Sequence, residues 1–274
     1  MAKRVGQGLE TKGGTNREKR LSETKPKVEQ VSKGNLQVLK SEEAPGDKTI
    51  HNATRSKQPI KIQAVAFDMD GLLLNTEDLY EEVTHALLAK RGKVFKEEVR
   101  RRMIGLPAPK AYQVLIESES LEETWEQLHL ETEQVFERML EERLETMPGV
   151  QRIFEAINQR GLPRCVATSS TKGFAHKALA RVGILEHLDF VVTAEEVARG
   201  KPYPDIYVEA AKRMQSPIER MLVLEDSETG TKAGVSAGAY VISVPNRHTN
   251  QGNFHGAKWI ADSLMDDRIY ELFE

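Results

Sequence analysis

Short apolar runs alternate with amphipathic segments through the second half of the chain. The predicted strands are 162–168, 190–192, 221–224 and 240–244, with a last short one at 259–261. The predicted helices are 150–160, 172–182, 205–214 and 229–237. Strands that alternate with helices of about ten residues form a parallel sheet covered by helices on both faces. This alternation predicts an α/β fold with a Rossmann-like parallel sheet core.

An earlier apolar run, 62–69, predicts another strand that is buried on both faces. Its apolar part, 62–67, is followed by Asp68 and Asp70. The period of two residues in a strand places these two carboxylates on the same side. Like charges this close repel, so they need a cation or a shared proton. A divalent cation would leave one carboxylate free to attack and the other free to carry a proton. An Asp-rich turn, which Gly71 permits, explains the same residues without any chemistry.

About seventy residues, predicted to be almost wholly helical, separate this strand from the rest of the sheet. The first predicted helix, 79–91, has one apolar face, made of Tyr80, Val83, Leu87 and Leu88. A stripe in 122–146 predicts the core of a small helical bundle: Trp125, Leu128, Val135, Met139 and Leu140. An insertion at this place sits over the carboxyl edge of the sheet, where such folds hold their ligands. We therefore expect a helical cap, 78–146, on a core formed by 59–77 and 147–274.

Residues 1–58 are rich in Lys, Glu, Gly, Ser and Thr and almost lack aromatic residues. Such a segment buries too little apolar surface to offset its ordering entropy, so we expect a disordered tail. The net charge of −3 and the lack of a long apolar run indicate neither a nucleic-acid nor a membrane partner. The expected compartment is the cytoplasm, with organelle import through the tail left open. Nothing in the sequence indicates an oligomeric state.

Polar side chains recur where the predicted strands end, and they are Thr168, Ser169, Ser170, Lys201, Glu225 and Asp226. Parallel strands bring these ends to one edge of the sheet. Carboxylates suit a hard divalent cation, and a lysine with free backbone amides at a helix start suits an anion. A metal beside an anion indicates phosphoryl chemistry.

Each signal also has an ordinary explanation. Thr168 and Ser169 would serve equally well as caps of the helix at 172–182. Lys201 alone is typical of a solvated surface lysine, and the helix dipole favours an acidic pair such as Glu225-Asp226. Their joint placement at one sheet edge favours the functional interpretation.

Four motifs occur in the order typical of the haloacid dehalogenase-like phosphohydrolases, which the chain resembles over about residues 61–274: Asp68-Met69-Asp70-Gly71, Thr168, Lys201-Pro202-Tyr203-Pro204-Asp205 and Glu225-Asp226-Ser227. Within that family the chain is similar to the small-cap members that include pseudouridine 5'-phosphatase, sugar-phosphate phosphatases and β-phosphoglucomutase. The resemblance implies a phosphatase that uses Mg²⁺ and an aspartyl-phosphate intermediate. Its partner would be a small phosphorylated metabolite, either a sugar phosphate or a nucleoside monophosphate.

The resemblance also implies residue roles. Asp68 would be the nucleophile, and Asp70 would protonate the leaving alcohol and then activate water. The phosphoryl oxygens would be held by Thr168, the amide of Ser169 and Lys201. The Mg²⁺ ligands would be Asp68, the backbone carbonyl of Asp70 and Asp226, with Glu225 acting through water or behind them.

Two departures bear on the reaction. Tyr80 stands where mutase-like members carry a histidine, and Ala108 stands where their cap carries an arginine for a second phosphate. Lys110 would be the substitute for that arginine. The loss of both features favours water as the acceptor of the phosphoryl group, and therefore hydrolysis. The alternative is a β-phosphoglucomutase-like phosphotransferase. A non-catalytic phosphometabolite-binding module is a further alternative, against which the intact motif set argues.

Substrate specificity is expected to come from the cap. The candidate residues are Gly105, Lys110, Tyr80 and Asn75. The apolar loop near Leu106 would serve packing equally well.

Overall fold

The computed structural model describes residues 60–103, 106 and 108–274, so the predicted tail at 1–58 lies outside the described residues. The strands are β1 (Ala64–Phe67), β2 (Arg164–Thr168), β3 (Phe190–Thr193), β4 (Met221–Glu225) and β5 (Tyr240–Ser243). The helices before β2 are α1 (Thr76–Ala89), α2 (Glu97–Met103), α3 (Ala108–Glu119), α4 (Trp125–Arg143) and α5 (Val150–Arg160). Those after it are α6 (Lys172–Arg181), α7 (Asp205–Arg213), α8 (Glu228–Ala237) and α9 (Asp267–Glu271).

Within the described part of the chain, the strands form one parallel sheet of five, in the order β3-β2-β1-β4-β5. β1 is central, and its last residue, Phe67, lies between Val166 of β2 and Leu224 of β4. The end of β1 therefore opens between two neighbouring strand ends, which is where ligands bind in sheets of this kind. The predicted α/β fold with a Rossmann-like core is confirmed.

Both faces of β1 are buried, which explains its continuous apolar run. Val65 and Phe67 pack in the cluster that includes residues of α5 and α6. Ala64 and Ala66 pack on the opposite face, in the cluster that includes residues of α7 and α8. A fully buried Phe or Val side chain stabilises the fold by about 1.5–3 kcal/mol. Burial on both faces therefore anchors this strand, and the two aspartates follow its carboxyl end.

Helices α1 to α4 form the insertion. They share a small core of their own, which contains Leu87, Leu88, Phe95, Val99, Leu115 and Leu128. The later part of α4 packs in a different core, because Val135, Phe136 and Leu140 belong to the cluster that also contains Val65 and Phe67 of β1. The stripe predicted in 122–146 therefore divides between two cores instead of filling the bundle alone.

The two chain segments that connect sheet and insertion run side by side. Leu74 and Thr146 form an antiparallel bridge. The Met147 amide donates to the Leu73 carbonyl at 2.9 Å, and the Asn75 amide donates to the Glu145 carbonyl at 3.2 Å. The predicted core and cap boundaries, after residues 77 and 146, fall close to this pairing, and the division into two domains stays a prediction.

Three details differ from the sequence-based expectations. The segment at 259–261 forms only a single bridge, between Ser243 and Ile260, because it meets the short edge strand β5 at one position. The five-residue helix α9 is absent from the predicted elements. Tyr80 is 43% exposed, because the buried face of α1 is centred on Leu79 and each residue along a helix turns by about 100°.

No helix among the described residues has both the length and the apolar character needed to cross a membrane.

Candidate active site

A buried ionic cluster lies at the ends of β1 and β4, and its members are Asp68, Lys201, Glu225 and Asp226. The Lys201 ammonium contacts the Asp68 carboxylate, and its Nζ lies 2.5 Å from Glu225 Oε1. It also donates to the Ala167 carbonyl at 2.8 Å. Only 4% of the Lys201 side chain is exposed, so the interpretation of Lys201 as a solvated surface residue does not hold.

Burial and charge shift the pKa values of this cluster. Burial raises the pKa of Asp68 well above its usual value, Lys201 opposes that rise, and Glu225 and Asp70 add to it. Burial also raises the pKa of Asp226, and the charges of Asp68 and Glu225 reinforce the rise. For Lys201 burial lowers the pKa, but the charges of Asp68 and Glu225 outweigh burial and hold the net value above normal. The site therefore holds more negative charge than one lysine neutralises.

Asp70 is held by three hydroxyl groups. Its Oδ1 accepts from Thr76 Oγ1 at 2.9 Å, and its Oδ2 accepts from Thr168 Oγ1 at 3.1 Å and from Ser170 Oγ at 2.8 Å. A hydroxyl both donates and accepts, so the same three groups can support a charged or a protonated carboxyl. This arrangement suits a group that gives up a proton and later takes one back.

Asp226 is oriented by Asn246, which follows β5. Asn246 Nδ2 donates to Asp226 Oδ2 at 2.9 Å and to the Gly71 carbonyl at 3.0 Å. Gly71 has a φ of +79°, and a Cβ there would lie 2.5 Å from Asn246 Nδ2 and 2.7 Å from Asp226 Oδ2. A glycine is needed at position 71 both for the backbone conformation and for the close approach of these side chains.

Glu225 has no exposed surface and is surrounded by donors. Its Oε1 contacts Lys201 and the Tyr207 hydroxyl, and its Oε2 accepts from Ser227 Oγ at 3.1 Å. A Cβ added at Gly230 would overlap the carboxylate, so the start of α8 is shaped around it. With its lone pairs used in this way, Glu225 is placed as the counterion of Lys201.

The donor set fits a hard divalent cation. Oxygens of Asp68, Glu225 and Asp226 lie within 4.8 Å of one another, and all three residues are buried. Carboxylate oxygens are the ligands that Mg²⁺ prefers, and a cation here would offset the burial and the repulsion that raise the pKa values of Asp68 and Asp226. Because Glu225 is occupied by its donors, Asp68 and Asp226 are the carboxylates that would hold the ion directly.

A cleft of about 920 Å³ runs between the insertion and the loop after β2, and we call it the cap cleft. It is lined by residues from helices α1, α3, α4 and α6 and by the loop residues Ser169, Ser170 and Thr171. Ser170 connects it to the reacting groups, because the same side chain donates to Asp70. Ser169 is exposed in this loop, while Thr168 is buried with its hydroxyl directed at Asp70.

The predicted specificity residues differ in position. Tyr80 lines the cap cleft. The Asn75 side chain bridges two backbone groups: its Nδ2 donates to the Arg143 carbonyl at 3.2 Å, and its Oδ1 accepts from the Glu145 amide at 2.9 Å. Lys110 is exposed in the first turn of α3 and is not among the residues that line the cleft. Gly105 lies outside the described residues.

The structure brings in three side chains that sequence reasoning missed: Thr76, Tyr207 and Asn246. Asn246 follows the last strand, so the rule of polar residues at strand ends could have found it. Tyr207 sits on the buried face of α7 among apolar residues, and there the pattern gives no signal.

The chain belongs to the family of haloacid dehalogenase-like hydrolases, whose model matches residues 65–244. A "Phosphorylated carbohydrates phosphatase" of Thermotoga maritima is 34% identical over 181 residues, which cover 65% of this chain and 82% of that protein. A Drosophila melanogaster protein named "Probable pseudouridine-5'-phosphatase" is 32% identical over 214 residues, covering 75% of this chain and 91% of the relative.

Solved structures agree with this assignment. A haloacid dehalogenase family hydrolase from Deinococcus radiodurans, determined with bound phosphate and sodium, superposes with a TM-score of 0.68 at 26% identity. The match covers 78% of this chain and 98% of that one. The predictions of family and enzyme class are confirmed: the chain is a phosphatase of this family.

Proposed function

We propose that this protein hydrolyses a small phosphomonoester through an aspartyl-phosphate formed on Asp68, with Mg²⁺ as cofactor. The observation that carries the proposal is the buried ionic cluster, in which one carboxylate at the end of the central strand lies against a lysine and near a second carboxylate. A phosphate ester brings further negative charge, and Lys201 with a divalent cation would balance it.

In the first step an oxygen of Asp68 attacks phosphorus, and the bond from phosphorus to the alcohol oxygen breaks. Asp70 gives its proton to that oxygen, and the alcohol leaves. Lys201 stays charged because its pKa is raised, so it can hold a phosphoryl oxygen through both steps. Thr168 and the amide of Ser169 would hold the other oxygens.

In the second step Asp70, now a carboxylate, takes a proton from water. The resulting hydroxide attacks phosphorus, phosphate leaves, and Asp68 is restored as a carboxylate. Thr76 and Ser170 keep Asp70 in place between the two steps. When bound by Asp68 and Asp226, Mg²⁺ would offset the charge that develops on the phosphoryl oxygens.

Water is the favoured acceptor because the cap cleft offers poor support for a second phosphate. Among its described lining residues, Lys177 pairs with Glu137 at 3.1 Å, and His129 Nε2 lies 3.4 Å from Glu133. A second phosphate would therefore meet two carboxylates, a lysine that already has a partner and a histidine that lies beside a carboxylate. This charge pattern supports hydrolysis over the transfer of phosphate between two positions of a sugar.

The experiment measures phosphate release from a panel of sugar phosphates and nucleoside monophosphates, with Mg²⁺ and with chelator. Release should need Mg²⁺ and should disappear in Asp68→Asn, because the amide is a poor nucleophile. Asp189→Asn, a change near the amino end of β3 and outside the cluster, is the matched control and should stay active. Activity that survives Asp68→Asn would contradict the proposal.

A further inference from the structure

The cap cleft has an aromatic wall made of Tyr80, Phe136 and Phe174. The rings of Tyr80 and Phe136 are stacked, with 3.9 Å between centroids and 14° between planes. Phe174 lies 5.9 Å from Phe136, at 31°. The rings come from α1 and α4 of the insertion and from α6 of the core, so the wall extends across the boundary between them.

One part of this wall is open to a ligand. Tyr80 has one face against Phe136, yet 43% of the residue is exposed and it lines the cleft.

The open ring lies on the side of the leaving group. Tyr80 and Ser170 line the same cleft. Ser170 also donates to Asp70. An alcohol that takes its proton from Asp70 therefore extends from Asp70 into the cleft toward Tyr80.

We propose that the substrate carries a planar ring system in its leaving alcohol, and that the aromatic wall selects it. This inference rests on the proposed function and specifies the substrate of the same site. Nucleoside 5'-monophosphates have the required chemistry, with one phosphate, a short polar sugar and a flat base. The cleft volume of about 920 Å³ lies within the range of ~300–1,000 Å³ that is usual for small-molecule pockets.

Stacking on an aromatic side chain commonly changes the affinity for a base by about tenfold or more. Uridine 5'-monophosphate and ribose 5-phosphate form a matched pair, because they share the reacting phosphate and sugar carbon and differ in the base. With the full chain and Mg²⁺, we expect kcat/KM to be about tenfold higher for the nucleotide.

The variants test which side chains cause that preference. Tyr80→Leu and Phe136→Leu should raise KM for the nucleotide about tenfold more than KM for ribose 5-phosphate, which removes the preference. Tyr80→Phe keeps the ring and should keep the preference. Tyr270→Leu, which removes a ring of α9 that lies over Arg152, is the control and should leave the ratio unchanged.

The outcomes separate the two proposals. Equal kcat/KM for both esters, with release abolished by Asp68→Asn, would overturn the ring selection and leave the hydrolysis in place. A preference that survives in both leucine variants would also overturn it. No release from either ester, while another ester of the panel is hydrolysed, would overturn the ring selection alone, and no release from any ester of the panel would overturn the proposed hydrolysis as well.

Discussion

The buried ionic cluster and the cap cleft are connected through Asp70 and Ser170, but they differ in burial and in the partners of their charges. In the cluster, the side chains of Lys201 and Glu225 are 4% and 0% exposed. In the cleft, Lys177 and Glu137 also form an ion pair, but they are 49% and 66% exposed. The first pair is isolated from water, while the second is screened by it.

This difference separates two tasks. Charges that are buried and paired keep a fixed geometry, which a reaction at phosphorus requires. The walls of the cleft depend on helix packing and on ring contacts, which can vary without disturbing the reacting groups. We therefore assign the reaction to the cluster and the choice of substrate to the cleft.

The largest expected difference is between two Lys-to-Met substitutions, one in the cluster and one in the cleft. Lys201→Met should leave Asp68 and Glu225 buried without a cation, which destabilises the fold by about 3–5 kcal/mol. Activity should fall by about a thousandfold, because a phosphoryl oxygen loses its charged partner. Lys177→Met removes an exposed pair and should change stability by at most about 1 kcal/mol. Urea unfolding and kcat measure both, and equal losses in the two variants would contradict the comparison.

Removal of Mg²⁺ should affect the cluster in a pH-dependent way. The pKa values of Asp68 and Asp226 are raised in the folded protein, so without metal the folded state holds protons that the unfolded chain has released above about pH 4. Stability of the metal-free protein should therefore fall as pH rises above about 4. The raised pKa of Lys201 has no effect between about pH 5 and 8, because the lysine is charged in both states.

Mg²⁺ binds the ionised carboxylates, so its stabilisation should grow as pH rises. At about 100 times the Kd it should reach ~2.7 kcal/mol near pH 8, visible as a rise in Tm of several degrees, and it should be much smaller near pH 5. Asp226→Asn is the control and should respond little to Mg²⁺ at either pH. An equal response at both values would contradict the assignment of these carboxylates as ligands.

A third prediction removes one hydroxyl from each region. Tyr207→Phe takes a donor from buried Glu225, which should destabilise the fold by about 1–3 kcal/mol and lower kcat by roughly tenfold as Lys201 loses its orientation. Tyr112→Phe, in the cap cleft, should cost less than about 1 kcal/mol, because water in the open cleft can take the place of the removed hydroxyl. Comparable kcat losses in the two variants would argue against a positioning role for Tyr207.

The smallest effect is expected where the two regions meet. Ser170→Ala removes one of the three hydroxyls that hold Asp70, so kcat should fall only a few-fold and KM should stay unchanged. Ser170→Thr keeps the hydroxyl and should restore kcat. A rise in KM with kcat unchanged would instead make Ser170 a substrate-binding residue.

The sequence allowed the strands, the family and the placement of Asp68, Lys201 and Asp226 to be predicted, because parallel strands bring their ends to one edge. It did not predict that the Lys201 side chain is buried or that Glu225 is its counterion. Those facts depend on Tyr207 and Gly230, which approach Glu225 only in the folded chain.

The cap was less predictable. The sequence places Tyr80 on the apolar face of its helix as well as among the specificity residues, and the structure places it in the cleft wall. Asn75 illustrates the opposite case, since its side chain joins backbone groups about seventy residues away in sequence. Helical periodicity fixes which residues share a face, but it does not indicate which neighbouring helix that face meets.

The central claim is that Asp68 becomes phosphorylated, and the variant Asp70→Asn tests it most directly. With p-nitrophenyl phosphate the leaving group needs no proton, so the first step should proceed while hydrolysis of the intermediate stalls. We expect a rapid burst of about one p-nitrophenolate per chain and one phosphoryl group on the peptide that contains Asp68, found by mass spectrometry after acid quench. Steady release without a burst and with Asp68 unmodified, or the same burst in Asp68→Asn combined with Asp70→Asn, would contradict it.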